Sequence, residues 1–210
     1  MKIFLASALL LLVVPAQAQS PAPPEAGKDY IEIPNGRPLE PVDRGVVVEE
    51  FFNYVCPACN KFEPLFLEWT AGLPPYVKVR HIPASFRNDF MPYAHAYYAA
   101  EALGVADKTH AAVYDAIHRA HSLPAEGEKP DEERIARFYG GFGVDAQKFL
   151  TTMRSFSVDS KVRGANEYMQ RSKVTSTPSI IIDGRYLVRG ASKPDVLRIA
   201  TYLIEKEHAR

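Results

Sequence analysis

Glu50-Phe51-Phe52-Asn53-Tyr54-Val55-Cys56-Pro57-Ala58-Cys59 is the stretch from which the rest of the chain is read. It holds the only two cysteines of the chain, separated by two residues. The apolar run Val46-Val47-Val48 leads in, and a helix-compatible segment from Asn60 to about Thr70 leads out. A buried strand that delivers Cys-Pro-Ala-Cys to the start of a helix is a redox-site signature. Pro57 has a fixed φ and no N–H, so it suits the first helical position and puts Cys56 near the N-cap. The free N–H groups of the first turn and the positive end of the helix dipole then face its sulfur. Both favour thiolate over thiol and predict a depressed Cys56 pKa. Cys59 lies one turn further in, close enough to close a small disulfide ring and more shielded. Cys56 is therefore the attackable sulfur and Cys59 the buried partner.

Three other readings of the pair are weaker. A structural disulfide over so short a loop adds little closure entropy. Structural zinc needs four ligands, commonly two such pairs, and the chain has one pair. Covalent haem attachment needs a histidine after the second cysteine, and that residue is Asn60.

The 210 residues suffice for one sizeable core, or one domain with an insertion. Basic and acidic residues balance at 25 each, which gives no electrostatic case for nucleic acid or an anionic membrane. Met1-Lys2, an apolar run from Ile3 to Val14, Pro15 and Ala16-Gln17-Ala18 read as a secretory signal peptide, residues 1–18, cut after Ala18. The run is shorter than the ~20 residues a membrane span needs. Export to an oxidising compartment agrees with a lone cysteine pair.

Residues 19–29, rich in Pro and Ala, read as a flexible lead. Tyr30 to Ile33 alternates as a short edge strand, and Asn35-Gly36-Arg37-Pro38 is a turn. Val46 to Tyr54 is a near-continuous apolar strand, as when both sheet faces are covered. Phe62, Leu65, Phe66 and Trp69 follow at helical spacing, with Pro64 among them as a predicted kink. Tyr76 to Ile82 alternates as a strand, so the unit is βαβ and its two strands are parallel. Residues 91–153 read as an all-helical block, with helices at 92–104, 106–120, 131–140 and 145–153. A longer helix then turns Val158, Val162, Ala165, Met169 and Ser172 inward. Ser179 to Ile182, the turn Asp183-Gly184 and Tyr186 to Val188 make a hairpin. Pro194 to Glu207 closes the chain as a helix.

The order β-α-β, helical block, α-β-hairpin-α with one C-x-x-C resembles the thioredoxin fold. With the signal peptide, Glu50-Phe51-Phe52, Cys56-Pro57-Ala58-Cys59 and Thr177-Pro178, the chain from about Tyr30 onward resembles the DsbA-type thiol:disulfide oxidoreductases of the bacterial periplasm. The resemblance implies an α/β thioredoxin fold with an all-helical insertion. Residues 30–90 and 154–210 would form the thioredoxin domain, and 91–153 the insertion. It implies a low cysteine pKa and an oxidising potential, which are properties of the known family members. Pro178 matches the family's cis-proline facing the redox pair, and Thr177 would hold extended backbone beside Cys56 for a substrate strand. Pro57 and Ala58 would also contact substrate. Glu50 matches a buried carboxylate beneath the disulfide, able to relay a proton to or from Cys59. Lys78 or Arg80 would be its basic partner, and Glu49 an ordinary strand-end charge.

Ala58 departs from the histidine of the best-known member. It offers no charge or side-chain donor to Cys56, so the helix terminus acts alone and a weaker oxidant is expected. His118 and His121, three apart, lack further ligands at metal-site spacing and read as surface residues. His81 and His95 read as a strand end and a helix surface. Tyr93, Tyr97 and Tyr98 read as insert core rather than a substrate groove.

The implied function is donation of the Cys56–Cys59 disulfide to cysteine pairs of folding exported proteins. A DsbB-like membrane oxidase would reoxidise a monomeric protein that needs no metal or organic cofactor. Two rivals are a periplasmic reductase or isomerase and a non-redox peptide-binding chaperone on the same fold.

Overall fold

The computed structural model describes residues 22–210. The expected signal peptide, residues 1–18, lies outside them. Within the lead, Asp29 N–H bonds to the Glu25 carbonyl at 2.9 Å and Gly27 N–H to the Tyr30 carbonyl at 2.8 Å. A turn thus ties residues 25–29 to the first strand.

Twelve elements follow among the described residues: β1 (Tyr30–Glu32), β2 (Val46–Phe52), α1 (Pro57–Ala71), β3 (Val77–Pro83), α2 (Met91–Ala102), α3 (Ala106–His118), α4 (Glu132–Gly140), α5 (Ala146–Met153), α6 (Phe156–Arg171), β4 (Ser179–Ile182), β5 (Tyr186–Val188) and α7 (Lys193–His208). One sheet orders its strands β1-β5-β4-β2-β3. β2 runs parallel to β3 and antiparallel to β4. The crossover through α1 is what a parallel neighbour requires.

Every residue of β2 is buried, because helices cover both of its faces. Val46 and Val48 pack with Phe62 and Phe66 of α1 and Leu197, Ala200 and Leu203 of α7. The other face turns Phe51 toward α6, its ring 5.6 Å from that of Tyr168. α2 to α5 extend that second core: Tyr93, Ile117, Ile135 and Phe149 are all buried in it. Asp131, Asp145, Ser155 and Ser192 cap the N-termini of α4, α5, α6 and α7. Each satisfies an N–H that the helix leaves free. α1 continues unbroken through Pro64.

The β4–β5 turn has positive φ at both Asp183 (50°) and Gly184 (66°). That is the type I′ geometry whose twist matches a two-residue hairpin.

Candidate active site

Cys56 is the N-cap of α1 and Pro57 its first residue. The fold enforces this from behind. Buried Asn53 donates to the carbonyls of Ala84 (2.8 Å) and Phe90 (3.1 Å), and its Oδ1 accepts from Val55 N–H at 3.1 Å. His118 Nε2 lies 2.7 Å from the Tyr54 carbonyl oxygen. The turn between β2 and α1 is thereby held on both sides.

The Cys56 sulfur accepts from Cys59 N–H at 3.4 Å and lies 3.6 Å from the Thr177 carbonyl oxygen. Thr177-Pro178 is a cis peptide bond preceding β4. Pro178 is half-buried there. Pro57 and Ala58 are exposed above the pair. Cys56 is 7% exposed and Cys59 fully buried, both as free thiols.

The two sulfurs are electrostatically unlike. A hydrogen bond from the Cys59 thiol, and then the first-turn N–H groups of Cys59 and Ala58, bring the Cys56 pKa down to about 5 against the cost of burial. Burial, then the hydrogen bond to and charge of Cys56, push Cys59 far above the ordinary thiol range. A reduced pair therefore rests as Cys56 thiolate and Cys59 thiol. That arrangement exchanges disulfides at an activated sulfur beside the surface, backed by a shielded one.

A family model described as Thioredoxin matches residues 43–199. The thiol:disulfide interchange protein DsbA of Pseudomonas aeruginosa is 35% identical over 187 residues, covering 88% of this chain and 86% of that protein. The one of Azotobacter vinelandii is 32% identical over 207 residues, covering 97% and 94%. The chain belongs to the DsbA family. The crystal structure of the oxidoreductase DsbA from Xylella fastidiosa superimposes with a TM-score of 0.84 at 37% identity, covering 89% of this chain and 99% of that chain. The thioredoxin fold with a helical insertion is thus shared with known DsbA proteins, and thiol:disulfide interchange is the activity in their names.

Several sequence expectations are corrected inside this DsbA-family frame. Glu50 is fully buried, but its partner is neither Lys78 nor Arg80. Its Oε2 meets His81 Nδ1 at 2.9 Å. The β2–β3 register pairs Glu50 with His81 and Glu49 with Arg80. Side chains alternate across a strand, so Lys78 and Arg80 fall on the face away from Glu50. His81 is therefore a buried carboxylate's partner, not a plain strand end. Burial pushes Glu50 up by more than the His81 hydrogen bond and charge draw it down. Burial opposes a charged His81, yet the Glu50 hydrogen bond and charge hold its pKa above the ordinary value.

Glu49 is not an ordinary strand-end charge either. It is fully buried and accepts from Leu39 N–H at 2.7 Å and from the Tyr168 hydroxyl. His118 belongs to the cysteine turn rather than to open surface. His121 is exposed, and His95 lies against its own helix, Nδ1 2.9 Å from the Met91 carbonyl. Tyr93, Tyr97 and Tyr98 are buried.

Sequence reasoning missed Glu63 and His110. Glu63 carried a usable signal: it follows Cys59 by four residues on α1, between the inward-facing Phe62 and Phe66.

Proposed function

We propose that this protein donates its Cys56–Cys59 disulfide to cysteine pairs of exported proteins in the periplasm, and that a DsbB-like membrane oxidase restores it. The observation that carries the reading is the asymmetry of the pair, a Cys56 held near pKa 5 beside a buried Cys59 thiol. A substrate thiolate attacks Cys56, and Cys59 leaves. A second substrate thiol then attacks the substrate sulfur of the mixed disulfide and releases Cys56 as thiolate. Because that thiolate is stabilised, handing the disulfide over is downhill. The Thr177 backbone offers an extended edge beside Cys56 for a substrate strand, with Pro57 and Ala58 flanking it. Glu50 is the carboxylate through which a proton reaches or leaves Cys59. The unit is a monomer, and no helix among the described residues is long and apolar enough to cross a membrane.

The test is the reduction potential of the pair in glutathione buffers. The known DsbA stands at roughly −120 mV and thioredoxin at about −270 mV, reference values that belong to those proteins. A potential in the DsbA half of that span supports donation, and one at the thioredoxin end makes the protein a reductase. Loss of dithiol oxidation in Cys56→Ser separates an oxidase from a chaperone that needs no sulfur chemistry.

A further inference from the structure

The turn that delivers Cys56 is built around one peptide plane, Tyr54–Val55. The N–H end of that plane donates to Asn53 Oδ1 at 3.1 Å. Its carbonyl end meets His118 Nε2 at 2.7 Å. A carbonyl oxygen only accepts, so His118 presents Nε2–H there. Tyr54 is fully buried, and a buried carbonyl needs a donor. Among the described residues no backbone N–H takes this one, so the imidazole supplies the bond. The next N–H, that of Cys56, closes on the Asn53 carbonyl at 3.1 Å.

His118 comes from the helical insertion, 64 positions along the chain, where it is the last residue of α3. That helix end is tied down. Arg119 and Ala120 N–H both bond to the Asp115 carbonyl, at 3.0 and 2.9 Å. Ser122 and Leu123 then fold back onto the Ala116 carbonyl, at 2.8 and 3.3 Å. The Tyr93 hydroxyl of α2 holds the Pro124 carbonyl at 2.7 Å. The His118 ring lies within 28° of parallel to that of Tyr114, one turn back, with centroids 6.1 Å apart. Tyr114 in turn stands edge-on to Tyr54 at 5.2 Å. The imidazole is thus aimed at the turn by its own surroundings. His81 and His110 pair with the carboxylates Glu50 and Glu63, whereas His118 is bonded to backbone.

A peptide plane held at one end can tilt, and one held at both ends cannot. Cys56 follows this plane directly as the N-cap of α1, in extended conformation at φ −74° and ψ 114°. That conformation sets its sulfur 3.4 Å from the Cys59 N–H. Hydrogen bonds weaken steeply when misaligned, so a tilt of the plane reaches the sulfur as a weakened bond. We propose that His118 is a positioning residue for disulfide exchange: by holding the Tyr54 carbonyl it keeps the Cys56 sulfur against the first-turn N–H of α1. His118 touches no reacting atom and acts through the backbone alone. The helical insertion thereby takes part in the chemistry of cysteines that belong to the thioredoxin domain. This rests on the Cys56 thiolate, on which the disulfide-donor reading above also rests.

The test compares wild type, H118L, H118Q and R119A by two readouts. Thiolate absorbance against pH follows Cys56, and glutathione buffers give the reduction potential of the pair. H118L keeps the bulk and removes the donor, H118Q offers an amide N–H in its place, and R119A alters only an exposed neighbour. In H118L the thiolate preference of Cys56 should fall about tenfold, the worth of roughly one hydrogen bond. Its titration midpoint then climbs from about 5 by about one pH unit. The potential drops by ~30 mV, the equivalent of tenfold in a two-electron couple. H118Q should restore both, and R119A should match wild type. An H118L that keeps the wild-type midpoint and potential overturns the positioning role and leaves the disulfide-donor reading standing. A shift that H118Q fails to restore, or that R119A also produces, assigns the effect to packing of the helix end and overturns it as well. A wild-type potential at the thioredoxin end overturns disulfide donation, while the H118L shift still decides the role of His118. Should H118L not fold, nitrogen NMR of the wild-type His118 ring above the usual imidazole range, at about pH 8.5, decides instead. An Nε2–H ring whose signal moves between the oxidised and reduced protein supports the role. An Nδ1–H ring, or a signal blind to the redox state, overturns it.

Discussion

Glu49 is a carboxyl enclosed between a loop and a helix. Among the described residues its hydrogen-bond partners are the Leu39 N–H and the Tyr168 hydroxyl, neither of them a cation. Burial outweighs those two bonds and raises its pKa from 4.5 to about 7. Between those values the folded state holds a proton that the unfolded chain has lost. The favourable contribution is therefore fully present below pH 4.5 and disappears as pH rises through about 7. Glu49→Gln keeps the shape and an acceptor for Leu39 while removing the ionisation. Its urea midpoint should match wild type at low pH and exceed it at pH 8, by up to about 3 kcal/mol at 1.36 kcal/mol per pKa unit. Equal midpoints at both pH values would show that Glu49 is solvated in the folded state. Glu50, one position along, differs because the alternation of the strand turns it to the other face and to His81.

The β4–β5 hairpin shows what the tertiary context adds to a local signal. Asp-Gly favours a type I′ turn in any protein. Here the turn is also packed against the loop after β1. A Cβ on Gly184 would sit 2.0 Å from the carbonyl carbon of Arg37, and its φ is +66°. Gly184→Ala is therefore penalised twice, in a left-handed conformation and in displaced backbone. The expected loss is at least ~2 kcal/mol, read as a lowered urea midpoint with the cysteine chemistry intact. α1 is the complementary element. Its N-terminus sets the chemistry of Cys56, and its buried face carries Cys59, Phe62, Glu63 and Phe66. One helix serves as thiolate stabiliser, core wall and the link from cysteine to carboxylate.

At the scale of the whole molecule, the redox state of two sulfurs is coupled to global stability. In the reduced protein the Cys56 pKa falls from 9.0 to about 5. That contribution is complete above pH 9 and is lost as pH falls through about 5. At pH 7 about two units of it are realised, at most ~3 kcal/mol. A two-residue disulfide loop offers little entropy in return. The reduced form should thus be the more stable one at pH 7, with the gap narrowing toward pH 5. Urea unfolding of both forms at the two pH values measures this. An oxidised form that is the more stable at pH 7 would contradict the thiolate argument and, with it, the downhill transfer to substrate.

The placement of the Cys56–Cys59 pair at a helix start and most of the element order were legible in the sequence. Those signals are local: a proline at the first helical position, a continuous apolar strand and an Asp-Gly turn between two β-rich runs. Each acts through neighbours within a few residues, so spacing alone conveys it. The partners of the buried carboxylates were decided only in three dimensions. Glu50 meets His81 because two parallel strands adopt one register, and a shift by one residue would have put Arg80 there instead. Glu49 meets Tyr168 across 119 positions of chain, and His110 reaches Glu63 only when α3 docks on α1. A glutamate in a strand reads as polar in any window. Its burial comes from helices packed on both faces of β2, and that packing is a property of the assembled layers.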